Sequence, residues 1–362
     1  MESGKKLGIG VIGLFMGRCM LYVNGLKSYN SEVRAICDID EERLKRNQDE
    51  FHIPFAATDY KKLIRRDDID IVGIFVPDQL HMEIIREALA SGKHVICTKP
   101  MVVSLEEAKE TVRLVKKYGR KFLTGQTRRF VKHHIEAKSL FDSGKIGKPL
   151  FAEASYVHGD MWKVFDRGAW RYQAPQDILY GGACHPIDHL RWYFGDVDEV
   201  FAYGCASSVD MRYPQDKELN FLINLKFKNG VIARVLTACG IVEPPYGATG
   251  DVMPMEGVSI FGTNGTIVNY HARYFEDGNR SREKIVDFHR DEDKDDFDGN
   301  EYSGHIASVL KYVKEMEECI ALDKKPIIDE IEGAKAIAVC SAAWESIKSG
   351  GTAKVFNEFE LL

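Results

Sequence analysis

Two residue patterns near the N-terminus can do chemistry by type and spacing alone. Gly13-Leu14-Phe15-Met16-Gly17 follows the apolar run Leu7–Ile12 and leads into Met16–Tyr29, a stretch of helical character. A first glycine permits a tight turn, and a last one lets the next helix pack against the strand, the arrangement that cradles a dinucleotide pyrophosphate. The middle glycine that admits the phosphates has no clear counterpart: either Phe15 stands in its place or the turn is one residue short. An overlapping match, Gly8-x-Gly10-x-x-Gly13, lies within the strand and is set aside. Asp38 ends the next strand 25 residues after Gly13, near the ~20-residue spacing of an acid that accepts hydrogen bonds from the adenosine ribose. A carboxylate there repels a 2′-phosphate and favours NAD over NADP.

Other chemistries are disfavoured. The eight cysteines, at 19, 37, 97, 184, 205, 239, 319 and 340, form no CxxC pair, which speaks against zinc and thioredoxin-type sites. Most sit among apolar residues, as in Val95-Ile96-Cys97, and so many unpaired thiols suit a reducing cytoplasm. The acidic run Asp287–Glu301 lacks the glycine and glutamate spacing of a calcium loop and reads as a solvated loop. No metal site is expected.

The elements that must position these residues alternate over the first third of the chain. Strands are expected at Leu7–Ile12, Glu32–Cys37, Ile69–Val76, His94–Cys97 and Lys121–Gly125. Helices fall at about Asp40–Glu50, Leu80–Ser91 and Leu105–Tyr118. Apolar strands separated by helices imply a doubly wound, parallel α/β sheet. Beyond about residue 148 the pattern becomes α+β. Strand-like segments lie at Leu150–Val157, Glu199–Cys205, Asn220–Lys228, Val231–Cys239, Gly257–Phe261 and Thr266–Tyr270, with hairpin turns at Asn229-Gly230 and Asn264-Gly265. Long helices over Gly304–Leu322 and Ile331–Ser349 close the chain. The expected domains are 1–148 for dinucleotide binding and 149–362 for an open-faced, mostly antiparallel sheet, the C-terminal helices packing back toward the first.

Length and charge agree. A chain of 362 residues exceeds what one core usually supports. Its 44% hydrophobic and 29% charged residues exclude disorder as the main state. With 49 Lys and Arg against 55 Asp and Glu, the net charge is −6, which disfavours nucleic acid and anionic membranes as partners. Lys5-Lys6 before the charge-free run Leu7–Gly17 imitates a signal peptide, but no A-x-A site follows and a buried strand is the better reading. No run approaches the ~20 apolar residues of a membrane span.

Further along, Gly92-Lys93-His94-Val95-Ile96-Cys97-Thr98-Lys99-Pro100 resembles the GKHVxxEKP strand of the Gfo/Idh/MocA oxidoreductases, the glucose–fructose oxidoreductase and inositol dehydrogenase family. The resemblance runs over nearly the whole chain. Val76-Pro77-Asp78-Gln79-Leu80-His81 is similar to the turn before the family's next helix, and Gly125-Gln126-Thr127-Arg128-Arg129-Phe130 to a strand end. Trp170-Arg171, Gly181-Gly182 and His185-Pro186-Ile187-Asp188-His189-Leu190-Arg191-Trp192 resemble its active-site segment. Each match is weak alone; in this order they are strong.

The resemblance implies a Rossmann domain with an open-faced sheet domain. It implies hydride transfer between NAD(P) and a secondary alcohol carbon of a sugar, cyclitol or related polyol. Lys99 and His185 are the implied catalytic residues, the lysine hydrogen-bonding the substrate oxygen and the histidine acting as base. Arg129, Tyr156, His158, Trp170, Arg171 and Asp188 are candidates for substrate binding. Gly13, Leu14, Phe15, Met16, Gly17, Asp38, Pro77, His81, Thr98, Lys99 and Gln126 are the candidates for NAD. Two departures stand out: Thr98 replaces the family glutamate, and Gly181 stands where many members carry an aspartate. Asp160, Asp177 and Tyr180 are further relay candidates, and Cys184 is a candidate pocket-lining residue.

Two rivals share the fold, a redox-assisted glycosidase that retains NAD and a catalytically silent dinucleotide-sensing protein. An open sheet leaves apolar surface that implies a homodimer or homotetramer.

Overall fold

The structure is a computed structural model that describes residues 6–159, 170–174, 176–206, 208–242, 257–288 and 303–362. The chain divides into two compact units, one of residues 1–130, 292–334 and 359–362, the other of 131–291 and 335–358.

The first unit begins with β1 (Leu7–Ile12), the short α1 (Arg18–Leu21), β2 (Ser31–Cys37), α2 (Glu41–Phe51), β3 (Phe55–Ala57) and α3 (Tyr60–Ile64). It continues through β4 (Ile71–Ile74), α4 (His81–Ala90), β5 (His94–Thr98), α5 (Leu105–Tyr118) and β6 (Phe122–Gly125). The six strands pair in parallel in the order β3-β2-β1-β4-β5-β6. The order reverses about β1, so the loops after β1 and β4 open at the switch point where α/β sheets bind ligands. Strands β1, β4 and β6 are buried along nearly their whole length, as a sheet covered on both faces requires. Side chains of Asp40, Asp59 and Ser104 cap α2, α3 and α5 by accepting backbone N–H bonds, each worth about 1 kcal/mol.

One expectation here is corrected. The stretch Met16–Tyr29 carries only α1 and a single 3-10 turn, Tyr22–Gly25. Asn24 lies in that 3-10 turn, and its side chain bonds the N–H and the carbonyl of Val33 on β2, at 2.7 and 3.1 Å. An asparagine that satisfies a strand backbone competes with helix continuation.

The second unit holds α6 (Lys132–Asp142), β7 (Pro149–Val157), α7 (Trp170–Gln173), α8 (Ile178–Gly181), α9 (Cys184–Phe194) and β8 (Val197–Ala206). Strands β9 (Glu218–Phe227), β10 (Ile232–Ala238), β11 (Val258–Gly262), β12 (Gly265–Val268), β13 (His271–Phe275) and β14 (Glu283–Asp287) follow. The helix α10 (Ser303–Ala321) returns to the first unit, α11 (Glu330–Ser349) crosses the division, and β15 (Ala353–Lys354) ends the sheet. The nine strands run β14-β13-β12-β11-β7-β10-β9-β8-β15, antiparallel except for the parallel pair β7 and β10.

The division at 130/131 lies upstream of the expected boundary at 148. The reason is α6, whose Phe141 packs edge-on against Tyr193 and Phe194 of α9, and whose His134 meets His189. Strands β13, β14 and β15 were not expected from the sequence. Along β9 buried and exposed residues alternate, so one sheet face is core and the other is open. On the open face Phe261, Phe151 and Ile232 stand in adjacent cross-strand register, with Phe151 and Phe261 stacked at 4.5 Å.

Candidate functional site

In the first unit, β1 ends at Gly13, whose φ of +87° belongs to the left-handed region. A Cβ there would stand 2.4 Å from the Phe75 carbonyl oxygen, so the strand end and the β4 loop can approach this closely only around glycine. Leu14 is buried, Phe15 and Met16 are partly exposed, and Gly17 leads into α1. Asp38 is 5% exposed and holds this turn in place. Its Oδ2 accepts the Leu14 N–H at 2.7 Å, its Oδ1 accepts the Asp40 N–H at 2.9 Å, and Arg43 Nη1 lies 3.2 Å from both.

The neighbouring loop ends carry the other candidates. Pro77 precedes the short turn Asp78–Leu80, and β5 delivers Thr98 and Lys99, both partly exposed, to a cis Lys99–Pro100 bond. Gln126, just beyond β6, is 2% exposed and its Oε1 has no hydrogen-bond partner among the described residues. A glycine cradle and an inward-facing, unsatisfied amide oxygen at one sheet edge fit a bound dinucleotide.

Two candidates take different work from that expected. His81 is fully buried, with Nδ1 2.8 Å from the Pro100 carbonyl and Nε2 3.0 Å from that of Val76. No ring nitrogen remains for a cofactor, so the side chain ties two loops together. Arg129 is 5% exposed, and its Nη2 donates to Glu332 Oε2 at 2.8 Å. Its guanidinium lies in a buried ion pair rather than on an open face.

In the second unit, Tyr156 near the end of β7 and His158 just beyond it stand with their rings 4.2 Å apart. His185, in the first turn of α9, stacks on Tyr156 at 5.3 Å. Asp188 follows one turn later and is almost wholly buried. Arg171 Nε donates to Gln176 Oε1 at 3.1 Å. A Cβ on Gly181 would meet Gln176 Nε2 at 2.5 Å, so the Gln176 amide fills the place a larger side chain would take.

Asp177 is occupied as the cap of α8 and as acceptor for Trp344 Nε1 at 2.8 Å. Tyr180 shares a hydrogen bond with Ser341. Cys184 is fully buried and lines no surface, correcting that expectation. The Trp170 side chain, Asp160 and most of the acidic run lie outside the described residues. Gln176 and Arg43 were missed because their importance rests on tertiary neighbours; the five-residue step from Asp38 to Arg43 was the one signal present.

Comparison with known proteins decides the family. The model described as the oxidoreductase family with an NAD-binding Rossmann fold matches residues 7–126, and that of the GFO/IDH/MocA C-terminal domain matches 134–268. The chain belongs to the Gfo/Idh/MocA oxidoreductases. It is 29% identical over 282 residues to an uncharacterised oxidoreductase of Bacillus subtilis, covering 74% of this chain and 75% of that protein. It is 31% identical over 193 residues to inositol 2-dehydrogenase of Salmonella typhimurium, covering 52% of this chain and 54% of that enzyme. An oxidoreductase from Agrobacterium radiobacter, crystallised with NAD+, L-tartaric acid and magnesium, shares the fold with a TM-score of 0.81 at 23% identity, over 96% of this chain and 98% of that one. As a family member, the chain is an NAD-binding oxidoreductase. No helix among the described residues is long and apolar enough to cross a membrane.

Proposed function

We propose that the protein is an NAD-dependent dehydrogenase that oxidises a secondary alcohol of a sugar, cyclitol or related polyol, or reduces the matching carbonyl. The carrying observation is Lys99 at the carboxyl end of β5, in the sheet whose β1 ends in the Gly13 cradle. The likeness to an inositol 2-dehydrogenase supports the substrate class. Bound NAD supplies the hydride acceptor. Lys99 donates a hydrogen bond to the substrate oxygen and holds it as negative charge develops there. His185, oriented by its stack on Tyr156, takes the hydroxyl proton as the carbonyl forms. Arg171, steadied by Gln176, and His158 bind the remaining hydroxyls or a carboxylate.

The open sheet face, with Phe151, Ile232, Leu222 and Tyr203 exposed, supports self-association into a dimer or larger assembly. The thiols, seven of eight of them buried, support a reducing, cytoplasmic setting. A panel of inositols, aldoses and anhydrosugars offered with NAD+ tests the activity by NADH absorbance. Formation of NADH with at least one is expected. No turnover with any member, despite NAD binding, would replace this reading with the silent sensor.

A further inference from the structure

Asp38 does not face solvent as a bare carboxylate. Its two oxygens receive the Leu14 and Asp40 N–H groups and both approaches of Arg43 Nη1, which matches the roughly four acceptor positions a carboxylate offers. At 5% exposure it has little edge left for two ribose hydroxyls. Arg43 is forked: Nη1 pairs with Asp38, while Nη2 meets Asp40 Oδ2 at 2.9 Å. The two acids differ in their bonds to the fold. The Asp38 side chain is 4% exposed and anchored to the glycine turn, whereas that of Asp40 is 40% exposed. Solvent-exposed ion pairs are weak and readily exchanged.

We propose that Arg43 is a specificity-determining residue, and that the Asp38–Arg43 pair makes the protein accept NADP as well as NAD. The positive charge on Arg43 cancels the negative charge that would otherwise repel a 2′-phosphate. A phosphate monoester offers the guanidinium fork a better partner than the exposed Asp40 carboxylate, because two parallel N–H···O bonds form to a more highly charged group. Asp38 stays fixed to the Leu14 amide throughout, so the turn keeps its shape with either cofactor. With NAD, Nη1 remains on Asp38 and Nη2 on Asp40.

Titration calorimetry of the intact protein with NAD+ and NADP+ tests this without recourse to turnover. In the wild type the dissociation constant for NADP+ is expected within about thirtyfold of that for NAD+, where each tenfold is ~1.4 kcal/mol. Arg43→Gln should raise that ratio by about tenfold, chiefly by weakening NADP+, since the side chain is partly exposed and its loss leaves the core intact. A wild-type ratio above about thirty, or a ratio moved less than threefold by Arg43→Gln, overturns the proposal. The NAD+ titration is read separately, so a failure of the dehydrogenase reading would not be mistaken for a failure here.

Discussion

The ring of His81 joins the carbonyl of Pro100 to the carbonyl of Val76, 2.8 Å from one and 3.0 Å from the other. Both partners only accept hydrogen bonds, and a neutral imidazole carries a single N–H. The arrangement therefore calls for the imidazolium. Burial opposes that charge, but Cys97, the buried carboxylate of Asp78 and the Val76 carbonyl outweigh it and push the pKa up to about 10.

Replacing this strut should loosen the loops that carry Pro77 and Lys99. His81→Ala leaves two buried carbonyls without donors, at about 1–3 kcal/mol each. A urea midpoint unchanged in His81→Ala would show that the ring ties nothing down.

Stability should vary with pH on both sides of neutrality. The folded-state pKa of His81 lies above its unfolded value, so its contribution is full below about pH 6.5 and is lost as pH rises toward about 10. His94 behaves in the opposite sense. Burial, with Arg120 and Lys121 nearby, pushes its pKa down to about 4, and its Nδ1 accepts the Lys121 N–H at 2.9 Å. Its contribution is present above about pH 6.5 and fades as pH falls through that value toward 4. The gap between the denaturation midpoints of wild type and His81→Gln should narrow from neutral to alkaline pH, as wild type loses the contribution the variant never had; parallel curves would refute the assignment.

Lys99→Ala should lower turnover by roughly 10²–10⁴-fold, the usual range for a group that acts on a reacting proton or oxygen. NAD affinity should change little. An active alanine variant would remove Lys99 from the chemistry.

Gly181 and Gln176 should couple. A methyl at 181 would stand 2.5 Å from Gln176 Nε2, and overpacking of this kind costs about 1–3 kcal/mol. Gly181→Ala should raise KM by releasing Arg171 from Gln176, and Gln176→Ala in the same chain should restore the lost stability. Additive losses in that double variant would deny the contact any role.

Ile232→Glu places a charge beside Phe151 on the open sheet face. If that face is buried between copies, light scattering should show a smaller species with an unchanged circular dichroism spectrum. An assembly of unchanged mass would point to another interface.

Much of the first unit was legible because buried parallel strands read as near-continuous apolar runs: β1 and α5 match their expected limits. The glycine turn and Asp38 were legible too, since each must occupy a fixed place between strand and helix. Partner identity was not. Nothing in the order of residues says that Arg129 meets Glu332, that His81 spans two carbonyls, or that Gln176 fills the space beside Gly181. Those relationships join residues far apart in the chain, and short exposed strands such as β13 carry too little apolar content to announce themselves.

The first unit is assembled from three separate stretches, and α10 supplies Ile306, Val309, Leu310, Val313 and Met316 to the same core as Ile9, Ile36 and Leu123. A cut after Phe130 would thus remove one wall of the dinucleotide-binding half. Inheritance and engineering must treat the protein as indivisible: a gene fragment encoding the six parallel strands alone would not be a portable module, and exchanging the second unit between relatives requires grafting both residues 131–291 and residues 335–358 rather than swapping tails.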